Sequence, residues 1–159
     1  MELKLASSMQ VQMVFDLIAE RIAWMDEKGI SQWNVTNYLD VFPFTYFVEK
    51  QQAGKMYVLI EQDQLQAACI LETDDDGWYD QRPAFYVHQL VSDPGCPGAG
   101  SRLLTEIEAL AQREGRCLVR LDCMQTNQAL NAFYEKRGYR KVGTCQVGLY
   151  EGFQREKRV

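Results

Sequence analysis

The stretch that decides the fold of this 159-residue chain is Leu90-Val91-Ser92-Asp93-Pro94-Gly95-Cys96-Pro97-Gly98-Ala99-Gly100-Ser101-Arg102-Leu103-Leu104. An apolar run typical of a β-strand ends at its Asp-Pro pair, a glycine-rich turn follows, and an amphipathic helix begins at once. The first turn of a helix has unpaired backbone N–H groups and the positive end of the helix dipole. Because glycines carry no side chain that would keep an anion away, the stretch predicts a cradle for a phosphate or pyrophosphate group.

Two common nucleotide-binding motifs do not fit these glycines. A Walker A loop requires a lysine after its last glycine, but Ser101 follows Gly100 here. A dinucleotide-binding fingerprint that began at Gly98 would need a third small residue where Leu103 stands. The spacing therefore argues against ATP and NAD as the ligand.

The glycine turn instead resembles the acyl-CoA loop of the GNAT N-acetyltransferase superfamily, which reads Gln/Arg-x-x-Gly-x-Gly/Ala before a helix. Gly98 and Gly100 match its glycines, whereas Gly95 stands where the family prefers Gln or Arg. A second segment is similar to the family pattern Asn-x-x-Ala-x-x-x-Tyr-Glu-Lys-x-Gly-Phe, with Asn127 and Tyr134 in matching positions. Two motifs in the expected order are more specific than either motif alone.

The resemblance implies one GNAT-type domain over residues 1–159, of the α/β (α+β) class. Its central sheet is mixed and mostly antiparallel, is flanked by helices, and follows the order β-α-α-β-β-β-α-β-α-β. Hydrophobic patterning predicts strands at residues 3–6, 55–61, 65–72, 85–91, 117–123 and 139–147, with an additional candidate strand at 150–156. It predicts helices from a cap at Ser7 or Ser8 to Gly29, over 35–52 with a break near Pro43, from the glycine turn to Gly115, and over 129–137.

The resemblance also implies acetyl-CoA as the cosubstrate, with no metal. The backbone of Leu90 and Val91 would hold the pantetheine arm and polarise the thioester carbonyl. Asn127 would bond the same arm, and Tyr134 would protonate the departing thiolate. The pyrophosphate would lie on Gly95, Cys96, Pro97, Gly98, Ala99, Gly100, Ser101 and Arg102.

Ordinary structural roles compete with two of these assignments. Asn127 is also a good N-cap for the helix that follows it. Tyr134 could be a core aromatic with its hydroxyl at the rim. The proton acceptor has three candidates, namely His88 on the central strand, Glu72 at the end of a neighbouring strand, and an ordered water.

The sequence identifies the pocket for the acetyl acceptor less specifically than it identifies the acetyl-CoA site. A set of aromatic residues suggests a pocket with an aromatic wall, namely Trp24, Trp33, Phe42, Phe44, Tyr46 and Phe47. The acidic turn Asp74-Asp75-Asp76-Gly77 is interpreted first as a soluble hairpin tip, and second as an attractor of a cationic acceptor.

The implied reaction is transfer of an acetyl group from acetyl-CoA to a primary amine of a small molecule, by direct attack in a ternary complex. A peptide or protein N-terminus is an alternative acceptor. Because Gly95 departs from the family pattern, a catalytically inactive CoA-binding sensor or interaction module is a further alternative.

Composition limits the classes of partner that we expect the protein to bind and the cell compartment in which we expect it. A net charge of −5 and a pI near 4.9 argue against nucleic acid, which usually requires a basic face. The amino terminus lacks the pattern of a signal peptide, and no apolar run approaches the length of a membrane span. Five cysteines, an odd number without metal-type spacing, fit a reducing cytoplasm, and the carboxy-terminal strands could mediate a homodimer.

Overall fold

The structure, a computed structural model, describes residues 2–159, so Met1 of the expected domain lies outside it. Seven strands form one sheet in the order β1-β2-β3-β4-β5-β7-β6. All neighbouring strands are antiparallel except β4 and β5. The strands are β1 (Glu2–Leu5), β2 (Met56–Glu61), β3 (Gln64–Glu72), β4 (Ala84–Ser92), β5 (Leu118–Met124), β6 (Arg140–Val147) and β7 (Tyr150–Arg158). The predicted mixed, mostly antiparallel sheet is confirmed, and the additional candidate strand is β7.

Five α-helices connect the strands: α1 (Gln10–Lys28), α2 (Tyr38–Val41), α3 (Phe44–Gln52), α4 (Ala99–Arg113) and α5 (Gln128–Lys136). The helix predicted over 35–52 is in fact a 3₁₀ turn at Trp33–Val35 followed by the separate helices α2 and α3. The break falls at Pro43, as predicted, because extended proline cannot continue a helix and instead begins α3.

The predicted side-chain cap of α1 by Ser7 or Ser8 is wrong. The helix begins after Met9, which provides no side-chain hydrogen bond. Instead, the backbone N–H of Ser7 donates to Oε1 of Gln10 over 2.8 Å, so the cap is formed by a side chain from inside the helix.

Alternate residues of the central strands face two different layers of helix. Along β3, Ala67, Cys69 and Leu71 pack in the cluster that contains α4. Ala68 and Ile70 pack on the opposite face with α1 and α3. This period-two pattern buries both faces of the sheet and explains the nearly continuous apolar run in β3.

The sheet opens between its two parallel strands. β4 pairs with β5 only from Ala84 to Tyr86, and beyond that point the two strands separate. On its other edge, β4 has a bulge in which Gln89 adopts a φ of 47°. A bulge bends its strand and increases the local twist, so β4 turns away from β5 where a cavity begins.

A buried ion-pair network lies just below this gap. Arg120 is fully buried and donates from Nε to Glu156 over 3.0 Å and from Nη1 to the hydroxyl of Tyr86 over 3.1 Å. The guanidinium also bonds the carbonyl and carboxylate of Asp80, which belongs to the segment between β3 and β4. The network therefore fixes that connecting segment, residues 73–83, against the sheet.

We expect Arg120→Met to destabilise the protein by about 3–5 kcal/mol, because Glu156 would lose its fully buried cationic partner and keep only the more exposed Arg82 and Arg140. Urea unfolding followed by circular dichroism measures this change in free energy. Arg113→Met, an equivalent substitution at the exposed end of α4, should alter stability by less than about 0.5 kcal/mol. A loss below about 1 kcal/mol for Arg120→Met would show that the network contributes little.

Candidate active site

A cavity of about 1130 Å³ begins at the gap between β4 and β5. The amino-terminal half of the chain, including α2 and α3, forms one wall, and α5 with the β6–β7 hairpin forms the opposite wall. Nine residues of the predicted site line it, namely Glu72, His88, Leu90, Val91, Gly98, Gly100, Ser101, Asn127 and Tyr134. The gap thus brings together groups from both motifs of the sequence.

The start of α4 is an uncapped helix terminus that points into this cavity. Gly98 has a φ of 85° and supplies no capping side chain. The backbone N–H groups of Gly98, Gly100 and Ser101 have no acceptor within residues 2–159. Three free donors at the positive end of a 15-residue helix suit a pyrophosphate group.

The two glycines of the turn have different structural requirements. Gly98 needs its left-handed backbone, and Nη1 of Arg102 lies 3.8 Å from where a Cβ on this glycine would stand. A Cβ on Gly100 would lie in van der Waals contact, 3.4 Å from Oγ of Ser92, so glycine leaves space there beside the end of β4. Glycine at both positions therefore keeps the helix start open.

The other residues of the predicted cradle do not line the cavity. The turn is closed by Asp93, whose Oδ1 accepts from the N–H of Gly95 over 2.7 Å. Burial and the Asp93 carboxylate raise the pKa of the Cys96 thiol, which disfavours a reactive thiolate. Pro97 is exposed in the turn, Ala99 is buried as the first residue of α4, and Arg102 is exposed beside the free donors.

Asn127 is an N-cap, as one interpretation of the sequence held. Its Oδ1 accepts from the N–H of Leu130 over 3.1 Å, which caps α5. Its Nδ2 donates to Oε1 of Gln32 over 3.0 Å, which connects α5 to the loop after α1. An amide nitrogen has two hydrogens, so one donor of Asn127 is free for a ligand on the cavity wall.

Tyr134 lies on α5 between the core and the cavity. Its ring packs edge-on against Tyr139, with the ring centroids 5.8 Å apart. Its hydroxyl has no hydrogen-bond partner within residues 2–159, although the residue is only 4 % exposed. Burial raises the pKa of Tyr134, so the phenol keeps its proton at neutral pH.

His88 lies beside a carboxylate that the sequence interpretation placed at a hairpin tip. Its Nε2 is 3.4 Å from Oδ2 of Asp75, and this interaction is the main cause that lowers the pKa of Asp75. The segment that carries Asp75 is held by Gln154, whose Nε2 donates to the carbonyl of Gly77 over 2.8 Å. Only the folded chain places Asp75 here, because no local pattern relates the acidic turn to β4.

A second carboxylate was missed by the sequence analysis. Asp122 lies on β5, two residues after Arg120, and therefore faces the same side of the sheet as His88. Its Oδ1 accepts from the hydroxyl of Tyr150 over 2.5 Å. Burial raises the pKa of Asp122, and the two strongest opposing influences are Tyr150 and His88.

Glu72 is held by two lysines at the rim of the cavity. Its Oε1 pairs with Nζ of Lys50, and its Oε2 pairs with Nζ of Lys55 over 2.6 Å. Burial would raise the pKa of Glu72, but both hydrogen bonds and both positive charges outweigh it and lower the pKa. A carboxylate stabilised in this way is a weak proton acceptor, so the geometry favours His88 over Glu72.

Four aromatic rings form a continuous wall on the acceptor side. Trp33 stacks on Tyr38 with centroids 4.6 Å apart, and Phe42 lies 5.0 Å from Tyr38 and 4.9 Å from Tyr46. Of the six aromatics singled out in the sequence, Trp24, Trp33, Phe42 and Tyr46 line the cavity. The other two do not, because Phe47 is fully buried in the core and Phe44 is exposed away from it.

Two further features of the described residues concern metal binding and membrane-spanning helices. Within residues 2–159, no group of three or more His, Cys, Asp or Glu side chains could hold a metal ion. No helix in the same range is long and apolar enough to cross a membrane.

Comparison with known proteins gives a matching family model and a relative by sequence. Residues 18–139 match the family model described as the Acetyltransferase (GNAT) family. An uncharacterized N-acetyltransferase, YesJ of Bacillus subtilis (strain 168), is 27% identical over 150 residues, which cover 88% of this chain and 81% of YesJ.

Solved structures agree with this family in their fold. A GNAT-family acetyltransferase from Listeria monocytogenes 4b F2365 has a TM-score of 0.80 at 20% identity, with 99% of this chain and 94% of that chain covered. The PaiA N-acetyltransferase of Thermoplasma acidophilum, solved in complex with coenzyme A, has a TM-score of 0.76 at 15% identity, with 99% and 98% covered. Because the family model spans most of the chain, this protein belongs to the GNAT acetyltransferase family and is an acyltransferase that uses acetyl-CoA.

Proposed function

We propose that the protein transfers the acetyl group to a primary amine of a small molecule, by direct attack while both substrates are bound. The observation that carries this proposal is the continuous cavity, which joins the start of α4 to the aromatic wall. Both substrates could therefore meet at the gap between β4 and β5. The aromatic wall and the β6–β7 hairpin enclose the acceptor side, which favours a small molecule over a folded protein.

The acetyl-CoA would lie along α4, β4 and α5. The free N–H groups at the start of α4 and the side chain of Arg102 would hold the pyrophosphate. The backbone of Leu90 and Val91, exposed where β4 leaves β5, would hold the pantetheine arm, with Nδ2 of Asn127 opposite. Acetyl-CoA supplies the acetyl group as a thioester, which is activated toward an amine nucleophile.

His88 and Tyr134 would handle the protons. With Nε2 held toward Asp75, Nδ1 of His88 would accept the proton that the amine loses as its nitrogen bonds the acetyl carbon. Tyr134 would donate its phenolic proton to the sulfur as the carbon–sulfur bond breaks. Burial keeps Tyr134 protonated until this step. These acid and base groups favour an active enzyme over a CoA-binding sensor.

We expect Tyr134→Phe to lower kcat by about 100-fold or more, because general acid catalysis contributes at least that factor. Thiol release from acetyl-CoA measures the rate, and isothermal calorimetry with CoA should show an affinity within about twofold of the wild type. Tyr57→Phe, a conservative change of a tyrosine on β2 outside the cavity, is the matched control. Wild-type turnover by Tyr134→Phe would remove this phenol from the mechanism.

We expect Arg102→Ala to weaken CoA binding about three- to tenfold, because an exposed charge-assisted hydrogen bond contributes on the order of 1 kcal/mol. The difference should shrink in high salt, which screens an exposed pair. Arg113→Ala removes the same charge from the other end of α4 and should leave CoA affinity unchanged. Calorimetry at two salt concentrations makes the measurement, and equal losses in both variants would indicate only a general charge effect.

We expect Asp75→Asn to lower kcat about tenfold or more, because Nε2 of His88 would lose the carboxylate that orients the imidazole. Thiol release from acetyl-CoA measures the rate. Asp76→Asn, an exposed neighbour in the same turn, should retain the wild-type rate. Wild-type turnover by Asp75→Asn would show that this contact does not position the proton acceptor.

A further inference from the structure

The cavity has a positively charged end at Lys50 and Lys55 and an acidic end at Asp122. We propose that the acceptor is an amine that also carries a carboxylate, with the carboxylate bound by Lys50 and Lys55 and the reacting nitrogen beside His88 and Asp122. This inference rests on the proposed amine acetylation and assigns the substrate class of the same site.

The positive end consists of one carboxylate held between two ammonium groups. Glu72 pairs with both Lys50 and Lys55, so two ammonium groups share one carboxylate within ion-pair distance, and the Asp74 carboxylate also lines this part of the cavity. Two ammonium groups have six N–H donors, and both oxygens of Glu72 are already engaged. The side chains of Lys50 and Lys55 are 25% and 37% exposed, so their remaining donors can reach a ligand. Hydrogen bonding to Glu72 raises the pKa of Lys55, which keeps it charged.

The opposite end of the acceptor site is acidic. Asp122 faces the cavity with Oδ1 bonded to Tyr150, and its Oδ2 has no partner within residues 2–159. His88 lies level with it across the gap between β4 and β5. A cationic amine would be attracted to this end and would then lose its proton to the neighbouring base.

Two elements of the fold set the distance between these ends. In the register of the sheet, Ile70 is opposite His88 and Glu72 is opposite Tyr86, so Glu72 lies two residues, about 6.6 Å, along from the base. On α3, Tyr46 and Lys50 are one turn, about 6 Å, apart. The hydroxyl of Tyr46 donates to Gln89 at the bulge over 2.9 Å, so this turn spans the same interval.

The distance between the two ends determines the length of the acceptor, and the lysine end determines which anionic group the acceptor carries. An α-amino acid, with one carbon between nitrogen and carboxylate, is too short to reach both ends, whereas an amine separated from its carboxylate by several methylenes fits. The rings of Tyr46 and Phe42 line the same cavity, with centroids 4.9 Å apart, and would cover the methylenes. The remaining N–H donors of the two ammonium groups suit the two oxygens of a carboxylate, and the nearby Asp74 carboxylate disfavours a dianionic phosphate.

The test compares three acceptors of equal length with the wild-type enzyme and acetyl-CoA: terminal-amine aminohexanoate, hexylamine and diaminohexane. We expect kcat/KM for aminohexanoate to exceed that for hexylamine about tenfold, the effect of roughly one charge-assisted interaction. Equal values, or a preference for the diamine, would overturn the assignment of a carboxylate. If none of the three and no other amine in a broad panel is acetylated, the proposed amine acetylation itself fails.

Lysine variants locate the effect. Lys50→Met and Lys55→Met should each reduce the preference for aminohexanoate over hexylamine from about tenfold toward one. Lys4→Met removes the same charge from β1, where Lys4 pairs with Glu2 at the surface, and should retain the preference. Two separate lysine variants keep the test decisive if one of them folds poorly. An unchanged preference in both would show that this lysine pair does not bind the acceptor.

Discussion

The separation of β4 from β5 after Tyr86 is the constraint on which the whole site depends. Paired strands use their backbone groups in the sheet, whereas separated strands leave those groups free for a ligand. The bulge at Gln89 bends β4 away from β5, and the Arg120–Glu156 ion pair holds the sheet together just below the opening. The same gap therefore exposes the backbone of β4 and the side chains of His88 and Asp122.

Charge is distributed unevenly around this gap. The chain is acidic overall, with a net charge of −5. Yet the start of α4, where the cosubstrate would lie, has free N–H donors and the positive end of the helix dipole, and two lysines hold one carboxylate on the acceptor side. An anionic cosubstrate is therefore compatible with an acidic protein, because the local field at the site, and not the net charge, determines binding.

Much of the fold could be predicted from local pattern. The glycine turn at Gly98 and Gly100 was identified correctly as the start of a helix, and strand boundaries agree within one or two residues. The errors arose where several short signals compete. Helix 35–52 is divided because Pro43 and the left-handed Asn37 interrupt it, and the cap of α1 comes from Gln10 instead of a serine. Asp75 was missed as a partner of His88 because its position depends on distant contacts of Gln154 and Arg120.

The sequence by itself determined the family, the helix start with its free donors, and the residues Asn127 and Tyr134 on a second helix. These features follow from spacing along one chain segment, where local geometry is fixed by the residue types. Only the tertiary structure decided which charged groups meet. Strand register brought His88 level with Asp122 and placed Glu72 between two lysines, because side chains far apart in sequence become neighbours only when the sheet forms.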